Sequence, residues 1–232
     1  MRPAPAVHRL LCAVPLLAAL LPAAGCAARA AVPSLPDAQR QVAAYIDSGG
    51  YDRDFAAVVT QARSYLEQRA KAVPKPAIVL DIDETSLSNW PAYRANGWGR
   101  IAAGPCDLEH GPCGLRAWQA TGASKGLQPT VGLVARARAL GVAVFFISGR
   151  PPELREATER NLREQGYSWD GGVLLPAGAT FASSADFKTP EREKIAARGY
   201  TILLSMGDQR SDLDGGYAER VFKLPNPVYF LP

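Results

Sequence analysis

Charge of one sign is nowhere concentrated in this chain. Its formal net charge is only +4, spread along 232 residues with no block of lysine or arginine. Binding to nucleic acid through phosphates needs a basic stripe or patch, so that class is set aside. Internal repeats and low-complexity segments are also absent. Cysteine is scarce: of four, only Cys106 and Cys113 lie beyond the first thirty residues. A cysteine pair in an exported chain reads first as a disulfide. His110 stands between them in "CDLEHGPCG" and raises the alternative of zinc. Three ligands without a nearby fourth make a weak metal site, so the bridge ranks above it.

What is present is ordinary globular material, 47% hydrophobic and 21% charged, enough for one domain with a modest extra lobe. The first thirty residues differ. Arg2 and Arg9 precede an apolar stretch from Leu10 to Leu21, and small residues follow. That is the three-part layout of a secretory signal, interrupted by Pro15 and Pro22 and too short for a membrane span. "LPAAGC" resembles the bacterial lipobox, with Ala23 where that motif usually has leucine. Residues 1–25 are therefore read as a lipoprotein-type signal peptide, with Cys26 lipidated and the chain anchored on the periplasmic side of the outer membrane. Cleavage after Ala30 is the rival. Residues 26–36 form a linker, and 37–232 the domain.

Residues 37–73 carry two helical patterns split at Gly49-Gly50. In the second, Phe55, Val58, Val59, Ala62, Tyr65 and Leu66 make an apolar stripe at three- and four-residue spacing. From Ala77 the pattern changes. "AIVLDI", "VAVFFIS" (142–148), "GVLLP" (172–176) and "TILLSM" (201–206) are short continuous apolar runs, as expected of strands covered on both faces of a parallel sheet. "TVGLVARARALG", "PELREATERNLREQG" and "TPEREKIAARG" between them read as helices, the last two closing on glycine. The alternation predicts an α/β fold with a doubly wound, mostly parallel sheet. Residues 90–129 are too long for a plain loop and are expected to form a small, mainly helical cap.

In such sheets ligands bind beyond the carboxyl ends of the strands. The polar residues there form a coherent set. Asp81 and Asp83 follow the first strand, and Ser148, Gly149 and Arg150 the second. Asp208 and Asp212 follow the fourth strand, and Lys188 lies in the segment leading to the helix before it. Clustered carboxylates repel unless a hard cation sits among them, and oxygen-only ligands favour Mg2+. Lysine and a serine hydroxyl suit phosphate oxygens. An aspartate beside the metal can attack phosphorus, and its neighbour two residues on can protonate the leaving oxygen and then activate water. A calcium loop at "DIDET" is excluded because Ser86 stands where an EF-hand needs glycine and Ala92 where it needs glutamate.

"DIDET", "ISGR", Lys188 and "GDQRSD" resemble the four motifs of the haloacid dehalogenase superfamily. "VLDIDETSLSN", "FFISGRPPELREATERNLREQGY", "FKTPEREKIAARGYTILLSMGDQRSDL" and "RVFKLPNPVYFLP" are similar to the secreted acid phosphatases of its subfamily IIIB, which include bacterial lipoproteins and plant vegetative storage proteins. The likeness spans roughly residues 40–232. It implies an acid phosphatase with Asp81 as nucleophile and Asp83 as general acid/base. It further implies that Asp81, the Asp83 backbone carbonyl and Asp208 hold magnesium, that Asp212 supports the metal shell and Thr85 the first loop, and that Ser148 and Lys188 bind phosphate. Arg150 and Arg192 are left out of the catalytic set as structural. Two rivals stay open: a phosphotransferase of the same fold, and a non-catalytic binding or storage relative, against which the presence of Asp81 argues. The implied substrate is a small phosphomonoester, nucleoside monophosphates included. Trp90, Tyr93, Trp98 and Trp118 in the cap could stack a nucleobase or pack the cap's own core.

Overall fold

The computed structural model describes residues 32–171 and 181–231. The signal segment, Cys26 and the expected strand at 172–176 lie outside the described residues. Helices α1 (Leu35–Asp47) and α2 (Gly50–Arg69) come first. They part at Gly49, whose φ of 72° is the left-handed region open to glycine at little cost. Phe55, Val59, Ala62 and Leu66 of α2 are buried, and Val58 and Tyr65 pack at the edge of the same core. The predicted stripe is the core-facing side of the helix.

Strand β1 (Pro76–Leu80) follows, then the two-residue strand β2 (Leu87–Ser88), the short helices α3 (Trp90–Ala95) and α4 (Leu115–Thr121), and strand β3 (Lys125–Gly126) pairing with β2. Next come α5 (Gln128–Ala139), β4 (Ala143–Phe146), α6 (Arg155–Glu164), α7 (Ser184–Ala197), β5 (Thr201–Gly207) and β6 (Ala218–Lys223). Strands β4, β1, β5 and β6 form one sheet in that order, every pair parallel. Side chains of β1 alternate between two cores. Ile78 and Leu80 pack with α2 and α5 residues, whereas Ala77 and Val79 pack with Phe187 and Ile195 of α7. Burial on both faces is why these strands read as unbroken apolar runs. Strand β6 was not foreseen. Arg220 and Lys223 break its apolar run, and at this edge of the described sheet most of its side chains are exposed.

The residues expected as a cap carry two short helices joined by a loop that the Cys106–Cys113 disulfide closes. Among the described residues no helix is long and apolar enough to cross a membrane. One placement needs correcting: Lys188 lies within a helix, not in a segment leading to one. Helix α7 starts five residues before Thr189 because Ser183 and Asp186 form a capping box, each side chain meeting the other's backbone N–H. Pro190 sits inside the helix, where it leaves one backbone bond unmade.

Candidate active site

The carboxyl ends of β1, β4 and β5 bring the site together. Asp81 follows β1 directly, and its backbone N–H donates to the Met206 carbonyl of β5, 3.0 Å away. The chain then turns sharply through Glu84, whose φ of 52° is rare for a residue with a side chain. Such a conformation costs on the order of 1 kcal/mol and persists only when its surroundings impose it. Here Glu84 is completely buried and accepts hydrogen bonds from the Asn89 backbone (2.5 Å), the Asn89 side chain (3.1 Å), the Tyr93 hydroxyl (3.1 Å) and the Tyr229 hydroxyl (3.3 Å). Burial, with repulsion from Asp83 and Asp208, pushes its carboxyl up to about 8. Glu84 thus ties the first loop to the cap and to the C-terminal tail.

Two carboxylates meet one lysine at the centre. Lys188 Nζ donates to Asp81 Oδ1 at 2.5 Å and to Asp212 Oδ1 at 2.6 Å, with all three side chains buried. Burial alone would lower the lysine pKa, but the two carboxylates reverse that and raise it. Asp81 is raised by burial despite Lys188, and repulsion from Asp212, Asp208 and Asp83 adds to the shift. Asp208 is pushed up to about 6 by burial and by Asp212, although Asn226 and Gln209 donate to it, each at 2.6 Å. Gly207 admits Asp212 to this cluster, since a Cβ there would lie 2.4 Å from the Asp212 carboxylate. Thr85 is buried with its hydroxyl 3.5 Å from Asp208 Oδ1, and its carbonyl accepts from Thr130 at 2.7 Å. Ser148 is fully buried, and its hydroxyl accepts from the Arg150 backbone at 3.1 Å.

Asp83 has different company. Arg150 grips its carboxylate through Nη2 (2.7 Å) and Nε (3.2 Å to each oxygen), while Asn89 donates at 2.7 Å and Gln119 at 3.0 Å. Burial would raise this carboxyl, but Arg150 and the two amides outweigh it and hold it below the usual range. So the neighbours Asp81 and Asp83 answer to opposite environments, a lysine shared with other acids for one and a dedicated guanidinium for the other. Arg150, set aside as structural, does hold a carboxylate, and it is the one assigned to proton transfer. Arg192 donates to the carbonyls of Asp212 (2.7 Å), Gly216 (3.0 Å) and Asp214, bracing the loop after β5.

Glu84, Asn89, Gln119, Asn226 and Tyr229 escaped the sequence reading. Glu84 and Asn89 lie inside the quoted "DIDETSLSN" and could have been noticed as polar residues in a tight apolar turn. Gln119 and Asn226 carry no such signal, because only the fold of the cap and of the tail brings them in. Of the four cap aromatics only Tyr93 lines the pocket over the site. Trp90, Trp98 and Trp118 pack around it in a small core of their own, so the packing alternative holds for them.

Fold and site together define an α/β protein of the kind that gathers carboxylates and a lysine at the carboxyl edge of a parallel sheet. Residues 27–232 match the HAD superfamily, subfamily IIIB (acid phosphatase). The chain belongs to that family and is a phosphomonoesterase. Among its relatives, the stem 28 kDa glycoprotein of Glycine max is 34% identical over 81% of this chain and 72% of that protein. Acid phosphatase 1 of Solanum lycopersicum is 28% identical over the same shares. The class C acid phosphatase of Bacillus anthracis matches in fold with a TM-score of 0.66, at 21% identity, over 84% of this chain and 87% of that one.

Proposed function

We propose that the protein is a magnesium-dependent acid phosphatase that hydrolyses small phosphomonoesters, nucleoside monophosphates among them, through an aspartyl-phosphate on Asp81. The observation that carries this reading is the buried cluster of Asp81, Asp208 and Asp212, whose oxygens lie within 4.8 Å of one another. Three buried carboxylates and one lysine leave negative charge uncompensated, and an all-oxygen donor set is what a hard divalent cation prefers. By the family pattern Asp81, the Asp83 carbonyl and Asp208 would hold the cation, with Asp212 supporting them. When bound, it neutralises the cluster and polarises a phosphoryl oxygen.

The chain's own groups supply the remaining steps. Lys188 and Ser148 bind the phosphate, and Asp81 attacks phosphorus as the leaving oxygen departs. Asp83 donates a proton to that oxygen and later takes one from the water that cleaves the aspartyl-phosphate. Thr85 steadies the loop between them. Purified protein is expected to hydrolyse p-nitrophenyl phosphate, to lose this activity in EDTA and to regain it with Mg2+. Full activity in EDTA would overturn the metal requirement, and inactivity with every divalent ion tried would overturn the enzymatic reading in favour of a storage role. Added glycerol, with transferred phosphate as the readout, separates hydrolysis from phosphotransfer.

The N-terminal pattern supports export with a lipid anchor on Cys26, on the periplasmic side of the outer membrane. The mature chain is therefore expected to begin at a diacylated Cys26. Intact mass of the envelope-purified protein checks this, and an unlipidated chain starting at Ala31 would overturn it.

A further inference from the structure

The cations at the floor of the site are committed, Lys188 to Asp81 and Asp212 and Arg150 to Asp83. Two others on the same pocket are not. The pocket has a volume of about 290 Å³, and its exposed wall includes Arg100 and Arg116, set among Ala102, Leu115, Tyr229 and Leu231. Both arginines are exposed, and among the described residues neither has a carboxylate partner. They lie sixteen positions apart in sequence, but backbone hydrogen bonds join the segment after Arg100 to the one around Arg116. The Leu115 N–H donates to the Ile101 carbonyl at 2.8 Å, Arg116 N–H to Ala102 at 3.2 Å and Gly114 N–H to Pro105 at 2.8 Å. The Cys106–Cys113 disulfide closes the loop beyond this ladder. Arg100 is further placed by Tyr229, whose ring centre lies 5.6 Å from the guanidinium carbon and whose hydroxyl is held by Glu84.

The segments flanking a stapled loop therefore bring two arginines to the lining of a pocket whose floor takes a phosphate. Guanidinium is suited to planar or tetrahedral oxyanions and is always charged. The phosphate being cleaved is met at the floor, so the wall arginines face whatever the ester carries on its other side. We infer that this wall favours, among the small phosphomonoesters the site takes, those whose leaving group bears a second anionic group, carboxylate or phosphate, received by Arg100 and Arg116. The apolar residues between them cover the body of such a substrate. This rests on the reading of Asp81 and Lys188 as the phosphate-processing end.

Two matched pairs of esters test it. 4-Carboxyphenyl phosphate is compared with 4-carbamoylphenyl phosphate, nearly the same in shape but without the charge. Fructose 1,6-bisphosphate is compared with fructose 6-phosphate to ask whether phosphate serves as the second anion. The charged member of at least one pair is expected to show a KM lower by about 3- to 10-fold, the scale of one or two exposed ion pairs. Which pair responds says whether carboxylate or phosphate is received. The preference should shrink with added salt, and in the double variant R100Q/R116Q the KM ratio should fall toward one. Circular dichroism checks that this variant is folded. Parity within both pairs for the parent protein, or a preference that survives in R100Q/R116Q, overturns the inference while leaving the phosphatase reading intact. Failure to hydrolyse all four esters overturns the inference, and the phosphatase reading falls with it only if p-nitrophenyl phosphate is left intact too.

Discussion

Asp81→Asn is expected to lower kcat by about 1,000-fold or more, the scale on which loss of a covalent nucleophile is felt. Asparagine has nearly the shape of aspartate, and its amide oxygen can still accept the bond that Lys188 Nζ donates to Asp81 at 2.5 Å. The buried cluster also loses one of three carboxylates, which relieves repulsion. The fold and the affinity for inorganic phosphate should therefore survive while turnover does not. Thermal melting and calorimetric titration with phosphate would be run beside the assay. A variant that keeps a substantial share of its activity would refute a covalent step on Asp81.

The second large effect separates Asp83 from Asp81 by leaving group. A general acid matters most when the leaving oxygen is basic, so Asp83→Asn should slow alkyl phosphates by about 100-fold or more yet spare p-nitrophenyl phosphate much of that loss. The same variant should accumulate phosphoenzyme, since water activation fails with it. The Arg150 clamp adds a pH signature. Because Asp83 is held below the usual carboxylate range, it carries a proton only at low pH. Above that lowered pKa its protonated fraction rises about tenfold for each unit of acidification. Alkyl ester turnover, expressed as the ratio of wild type to Asp83→Asn at each pH, should therefore rise as pH falls. Equal losses on both ester types with no trapped phosphoenzyme, or a flat ratio, would refute proton transfer by Asp83.

The structure also explains how two like charges stand two residues apart. The repulsion is divided rather than tolerated, with Lys188 reaching Asp81 from α7 and Arg150 reaching Asp83 from the end of β4. Each acid also differs in burial, Asp81 having an 8% exposed side chain and Asp83 a 20% exposed one. That difference suits the proposed roles, a nucleophile shielded from water and a proton carrier that water can reach.

Much of this was legible in local pattern. The apolar stripe of α2, the continuous strands β1, β4 and β5, and the acids placed just past their carboxyl ends all follow from periodicity and from the topology of parallel sheets. What local pattern mistook was where helix α7 begins, because the start is set by the capping box at Ser183 and Asp186, upstream of the helical run "TPEREKIAARG". Strand β6 was hidden by its charged, exposed side chains, which give an edge strand a polar face.

Sequence by itself determined the chemical inventory: which carboxylates and which hydroxyl stand just past strand ends, which lysine precedes the fourth apolar run, and hence the class of reaction. Those roles depend on residue type and on position relative to a strand, both of which are local. Tertiary structure alone decided the partnerships. That Arg150 belongs to Asp83, that Gln119 and Asn226 join the acids, that Glu84 binds cap and tail together, and that Arg100 and Arg116 share a wall depend on contacts between segments many residues apart. No spacing in the chain encodes such contacts, because packing of the cap and the tail over the sheet edge sets them.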